Sequence, residues 1–484
     1  MFYFRNFKLL KSKVMFDEEE ENDDYFASNL NEDLERFEAF MKGDMLGFLD
    51  CDRLEAIIDH YLINNQYNKA KICAEHALTQ FSFNNVFSLR LAQAMSAMGQ
   101  LKEALNLISQ IEKLDQPSCE VLLTKASIFS QLRDSKSAIK YFKESLILSD
   151  PEDKDEIYLD LAMEYENTND YKGALVILKE AIKYNPKNEG AIYEIAFCYD
   201  QLGDYDQAIK CYLDFIDENP YSFTAWYNLG NAYSKSENFE KAIWAYDYCV
   251  LINEDFGPVY FNLGNAYLST DNYQLSIDSF NKSMELDGDD PIAFCYIGEA
   301  YEQLGELKKA KVFYKKSLEL SPLLPDAWLG LGIVEDLAGR TREGIVLINK
   351  AAELDPENAG VFSVLAGAHE KLDEIDLAKE YYLIALQLDP SDEGCLTSYV
   401  DLLNKESYKD SCDFITEFID AGNLNPITNV LKVNILWKLG RKSEALVLFS
   451  FCVDHDIENA KELYELYPKY KKNSKFLDLS NEDE

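Results

Sequence analysis

The sequence predicts an all-α solenoid: a stack of about twelve helix pairs, closed at both ends by capping helices. Three observations predict it. The chain has a 34-residue period, small residues recur at two fixed places in that period, and large aromatic residues stand where they would face them.

Counting from Phe223, steps of 34 place unit starts at 155, 189, 223, 257, 291, 325 and 359 without insertion. Small slips extend the array to starts at 51, 85 and 119, and at 393 and 426, so the repeats span 51–458. At about 100° per residue, positions 4, 7, 8 and 11 share one arc of a first helix, and positions 20, 24 and 27 share one arc of a second. Position 8 reads Ala162, Ala196, Gly230, Gly264, Gly298, Gly332 and Ala366, which suits a close helix crossing. Position 20 is small in every unit, from Ala70 and Ala104 through Ser276 and Gly344 to Cys412 and Ala445. Position 11 carries Tyr165, Tyr199, Tyr233, Tyr267 and Tyr301, and position 24 carries Tyr212, Tyr246, Phe280, Tyr314 and Tyr382. Small and large shapes alternating in this way can interlock at native density. Pro186, Pro220, Pro322, Pro356 and Pro390 recur at position 32, where a missing N–H ends the second helix. Gly203, Gly305 and Gly339 mark the turn at position 15.

The flanks differ from the repeats. Residues 1–50 form an acidic N-terminal region in which the run 17–24 (DEEEENDD) is expected to be disordered and a helix near 31–42 to cap the first unit. Residues 1–14 are instead basic and aromatic, and Arg5, Lys8, Lys11 and Lys13 break any apolar stretch that a secretory signal would need. They also read as an artefact of an upstream start site. Residues 459–484 are expected to supply a capping helix at 459–467, with Pro468 and a polar tail leaving the fold.

The chain has 87 acidic and 47 basic residues, a net charge of -40. Such a surface disfavours nucleic acid, whose binding rests on cations that displace counterions, and it disfavours anionic membranes. A partner is expected to be basic or neutral rather than acidic. No apolar run approaches the roughly 20 residues of a membrane span. The ten cysteines include no CxxC pair, and Cys198, Cys249, Cys412 and Cys452 fall at small-residue positions inside helices. They read as reduced, buried thiols of a cytoplasmic protein.

Trp226, Leu229, Gly230, Tyr233, Ala242, Tyr246 and the 34-residue step resemble the tetratricopeptide repeat family, over about five-sixths of the chain. The layout is similar to that of uncharacterised bacterial multi-repeat members. The units at 393 and 426 depart most, with Thr416 at position 24 and Lys432 at position 7. The resemblance implies a right-handed superhelix whose first helices line a concave groove, and a role in binding peptides or proteins. In that geometry positions 2, 5, 6, 9, 12 and 13 face the groove. The expected groove residues are Tyr193, Phe197, Tyr227, Asn228, Asn231, Phe261, Asn262, Asn265, Tyr296 and Glu299. Amides there can grip an extended backbone through paired donors and acceptors, and the rings add apolar contact. Asn228 and Asn262 match a position that contacts the ligand backbone in some family members. The alternative is that these amides only stabilise neighbouring repeats.

Lys235 and Lys371 stand as isolated cations in a channel also lined by Glu299, Glu302, Asp336 and Glu370, an arrangement ill suited to holding a terminal carboxylate. Glu335 and His369 replace the position-11 aromatic in adjacent units and are expected to pair with each other as a structural hydrogen bond. Cys73/His76 and Cys452/His455 offer two ligands each, short of the four that structural zinc takes. No catalytic set, cofactor motif or phosphate loop is recognised, and 1–50 and 459–484 are too short for a catalytic domain. The sequence reads as a non-catalytic binding scaffold. The alternatives are a self-assembling spacer and a regulatory subunit of a separate enzyme.

Overall fold

The structure is a computed structural model that describes residues 20–423, 427–455, 457–473 and 475–476. Among the described residues it is all-α, and consecutive helices form hairpins joined by tight turns. Two compact units divide the chain, Met1–Glu254 and Asp255–Glu484. The first contains the pairs whose first helices are Cys51–Ile63, Asn85–Ala97, Cys119–Gln131, Lys154–Asn167, Glu189–Leu202 and Phe223–Lys235. The second contains those beginning with Gly257–Ser269, Pro291–Gln303, Pro325–Leu337, Ala359–Lys371, Glu393–Glu406 and Ile427–Lys438. The predicted fold class, a helix-pair solenoid, is the observed one.

The interlock of small and large residues is visible atom by atom. All position-20 residues from Ala70 to Ala445 are buried, and so are Tyr212, Tyr246, Phe280, Tyr314 and Tyr382. A Cβ on Gly230 would stand 2.3 Å from the Tyr246 ring, and one on Gly264 or Gly298 would stand 2.8 Å from Phe280 or Tyr314. The unit beginning at Pro325 goes further: glycine occupies both position 8 and position 20. There a Cβ on Gly344 would lie 2.6 Å from the backbone oxygen of Gly332. Only paired glycines let those two backbones approach so closely.

Helix ends follow from local chemistry. Asp50, Asn84, Ser118, Asp170, Asn188, Ser222 and Asp392 each accept a hydrogen bond from a backbone N–H of the first turn they precede. Position 15 is left-handed in every unit except the one starting at 393, where Ser407 is extended. Glycine fills this position at 99, 203, 305, 339 and 440, but Asn65, Arg133, Asn169, Glu237, Asp271 and Asp373 adopt the same backbone with a side chain. The turn geometry is therefore imposed by packing of the pair, with glycine relieving it where present.

Two expectations about the ends need correction. A helix spans Glu20–Met41, so it begins inside the acidic run read as disordered; residues 1–19 lie outside the described residues. At the other end the chain does not leave the fold after Pro468. A 3₁₀ turn at Pro468–Lys472 buries Tyr470, and Phe476 is buried against Trp437, Phe449 and Tyr470. Two apolar rings in an otherwise polar tail supply the reason: burying them outweighs leaving the segment in water. All ten cysteines are free, and Cys198, Cys249, Cys412 and Cys452 are buried. Burial pushes the Cys249 thiol up to about 12, which leaves it unreactive.

Candidate groove of the first helices

In each unit the first-helix positions that do not serve the core carry the polar and aromatic side chains of a candidate binding face. In the unit ending at Glu254, Tyr193 is 65% exposed, and the exposed Phe197 meets Tyr171 edge-on. Tyr227 and Asn231 are half-buried, and Asn231 Oδ1 accepts from Tyr246 Oη at 2.8 Å. Asn228 is only 7% exposed, and its Nδ2 is buried without a hydrogen-bond partner. An amide so placed loses its contact with water and gains no bond in return, an arrangement that costs roughly 1–3 kcal/mol.

In the unit beginning at Asp255, Phe261, Asn262, Asn265, Tyr296 and Glu299 are all half-buried. Tyr296 stacks on Phe280, and Phe261 packs edge-on against the same ring. Glu299 is raised above the ordinary carboxylate range by burial and by the charge of Asp326. Beside it, burial pushes Glu302 up to about 7, although Tyr314 Oη donates to its Oε2 at 2.9 Å.

The proposed Glu335–His369 pair does not form. Glu335 lies between Lys311 and Arg340, which bind its two oxygens. Burial works to raise its pKa, but those two cations outweigh it and leave the carboxyl below its ordinary value. His369 Nδ1 meets Glu374 Oε2 at 2.7 Å, and its ring stacks on Tyr381. Each group finds a partner beside its own turn, which leaves nothing for the other.

Lys235 and Lys371 are not isolated. Lys235 Nζ lies 3.1 Å from Asp200, Lys371 Nζ 2.5 Å from Asp336, and Lys405 Nζ 2.6 Å from Glu370. Each rung joins position 12 of one repeat to position 13 of the next, 35 residues on. Gln131 Nε2 donates to Ser96 Oγ at 3.0 Å across the same two positions, a neutral version of the rung. In the unit beginning at Asp255 two charged residues stand on the ladder without the opposite charge. Glu302 holds position 12, but position 13 of the next repeat is the 52% exposed Leu337. Lys438 holds position 13, but position 12 before it is Asn404, whose buried Oδ1 has no hydrogen-bond partner.

A third polar constellation lies on the first helices near the N-terminal end. Arg90, 5% exposed, binds Glu120, lies 3.2 Å from Glu55, and meets Asp59 at 2.6 Å with an angle that is not that of a hydrogen bond. Burial dominates there and raises Asp59 to about 6 despite the arginine. Sequence reading missed this cluster, although Glu55, Asp59, Arg90 and Glu120 at positions 5, 9, 6 and 2 are its signal. Among the described residues no group of three His, Cys, Asp or Glu side chains could hold a metal ion, and no helix is long and apolar enough to cross a membrane.

The fold and this face define the class: a helix-pair solenoid that presents a polar, ring-studded surface from its first helices. Models of the tetratricopeptide repeat match residues 167–214, 198–250, and 120–149, 257–290, 293–322 and 359–392. The chain belongs to the tetratricopeptide-repeat proteins. Among solved structures, the APC/C hetero-tetramer Cut9-Hcn1 is 14% identical, covering 80% of this chain and 90% of that one, with a TM-score of 0.41. MamA is 24% identical over 35% of this chain and 92% of its own, with a TM-score of 0.32. YrrB, described as a TPR protein with an unusual peptide-binding site, is 21% identical over 40% of this chain and 98% of its own, with a TM-score of 0.31. No curated protein sequence matches. Repeats of this family act as protein-interaction scaffolds.

Proposed function

We propose that this protein is a non-catalytic scaffold whose first-helix groove holds an extended segment of a partner protein. The observation that carries the reading is the contrast between the two arcs of each first helix. One arc is closed by packing, while the other keeps Tyr193 and Phe197 exposed and Asn262, Asn265 and Tyr296 within reach of solvent. Exposed rings beside amides give contact area and backbone hydrogen bonds without a sequence-specific pocket. The partner segment is basic or neutral along most of its length, because Glu299 and Glu302 face it without a cation of their own and the chain carries a net charge of -40. The protein acts in the cytoplasm, binds no nucleic acid and contributes no catalytic residue.

Co-purification from the native source tests this reading, with the wild-type chain compared against Tyr193→Ala/Asn228→Ala/Asn262→Ala. The variant is expected to keep its thermal unfolding profile and lose its partner. A folded variant that retains the same partner overturns groove binding. Light scattering separates the spacer alternative: a monomer at working concentration argues against self-assembly.

A further inference from the structure

The interrupted ladder points to a second chemistry at the end of the groove. Three lysines at position 13 bind an acid at position 12 of the repeat before. Lys438 sits at the same place on the helix Ile427–Lys438, but Asn404 replaces the acid, and among the described residues no carboxylate reaches its ammonium. The 3₁₀ turn after the last helix then adds a second cation. Lys469 Nζ donates to Asn434 Oδ1 at 3.2 Å and lies over the rings of Tyr467 and Tyr470. Asn434 is itself 4% exposed and also accepts from Tyr470 Oη at 3.0 Å, so the residue that holds Lys469 is fixed. Burial, and then the neighbouring charge of Lys438, lowers the Lys469 pKa; Asp401 on Glu393–Glu406 works in the opposite direction. Lys471 on the same turn and Lys475 beyond it are exposed. Two ammonium groups held side by side, with one carboxylate in range, form a local excess of positive charge in a strongly acidic protein.

We propose that Lys438 and Lys469 form an anion subsite that takes a carboxylate side chain of an acidic stretch in the partner peptide. This inference rests on the groove reading and adds polarity to it: basic or neutral residues along the middle, acidic ones at the C-terminal end. The bound carboxylate occupies the place that Asp336 and Glu370 take in their own rungs.

The test uses a fluorescein-labelled octaglutamate peptide and an octalysine peptide, both read by anisotropy at low salt with the full chain. Wild type is expected to bind octaglutamate. Asn404→Asp supplies the missing rung acid without adding bulk, and it is expected to weaken octaglutamate about ten-fold, as is Lys438→Gln/Lys469→Gln. Lys371→Gln, which removes a lysine already paired, is expected to leave octaglutamate binding unchanged. Equal affinity in all variants, or no octaglutamate binding while octalysine binds, overturns the subsite and leaves the groove reading standing. Retention of the partner by the Tyr193/Asn228/Asn262 variant would overturn the groove reading, whereas the octaglutamate series reads Lys438 and Lys469 alone, so the two failures are distinguishable. Full competition by inorganic phosphate at the concentration that acetate needs also overturns the proposal, since the site would then be a general anion trap.

Discussion

The first helices of the two units treat their charged groups in different ways. In the unit ending at Glu254, Arg90 gathers Glu55, Asp59 and Glu120 around one buried cation, and Lys235 closes on Asp200. In the unit beginning at Asp255, Lys371 and Lys405 close their rungs, whereas Glu302 and Lys438 are each left without the opposite charge. The difference shows that one architecture can spend its groove charges on holding repeats together or leave them for a ligand. Which of the two happens is decided by a single residue at position 12 or 13.

Breaking the closed network should cost the most. Arg90→Met leaves three carboxylates around a buried site, and loss of one member of such a set costs about 3–5 kcal/mol. Urea unfolding at neutral pH is expected to show that loss, and the loss should shrink in acid as Asp59 protonates. The next effect belongs to packing. Gly344→Val drives a side chain into the Gly332 carbonyl and is expected to cost about 1–3 kcal/mol, while Gly367→Ala, with nothing nearer than Tyr382 Oη at 3.9 Å, should cost little.

The open rung at Glu302 sharpens the comparison through pH. Its carboxyl is raised from an ordinary 4.5 to about 7, so the folded state holds this proton more tightly than the unfolded chain. Stability from this group is fully present below about 4.5 and falls as pH rises towards 7. Asp59, raised from 3.8 to about 6, acts in the same direction over its own range. Leu337→Lys supplies the missing cation at position 13. Carbon-detected NMR of the glutamate carboxyls is expected to show Glu302 titrating well below its wild-type midpoint in this variant. An unchanged midpoint would mean that the rung register does not extend to this pair.

Smaller effects are expected where the ladder is already closed and exposed. Lys235→Met should change stability by less than about 1 kcal/mol, because Lys235 and Asp200 are both about half exposed and such pairs are screened. Glu237→Gly relieves a left-handed residue in the turn, and is expected to raise stability by up to about 1 kcal/mol.

The repeat frame was legible because packing repeats in columns: position 20 is small from Ala70 to Ala445, and reading down one column every 34 residues exposes it. The ion ladder was not legible that way. Its rungs run diagonally, from position 12 to position 13 of the following repeat, so each column taken alone shows Lys235 and Lys371 without partners. Arg90 was missed for a related reason, since an arginine at a groove position reads as solvated until its three carboxylates are seen around it. Glu335 and His369 misled in the opposite sense. Two unusual residues in adjacent units suggested each other, but Arg340 and Glu374, five residues on along the chain, were nearer than the next repeat. The buried tail escaped because Tyr470 and Phe476 are single apolar residues with no helical period.

Site-specific photo-crosslinking addresses the groove most directly. A benzophenone amino acid is placed in turn at Tyr193 and Tyr296 on first helices, and at Val176 and Val346 on the exposed faces of second helices. Irradiation of the chain with its co-purified partner is predicted to give the adduct from Tyr193 and Tyr296 and none from Val176 and Val346. Adducts confined to the second-helix positions would contradict the account.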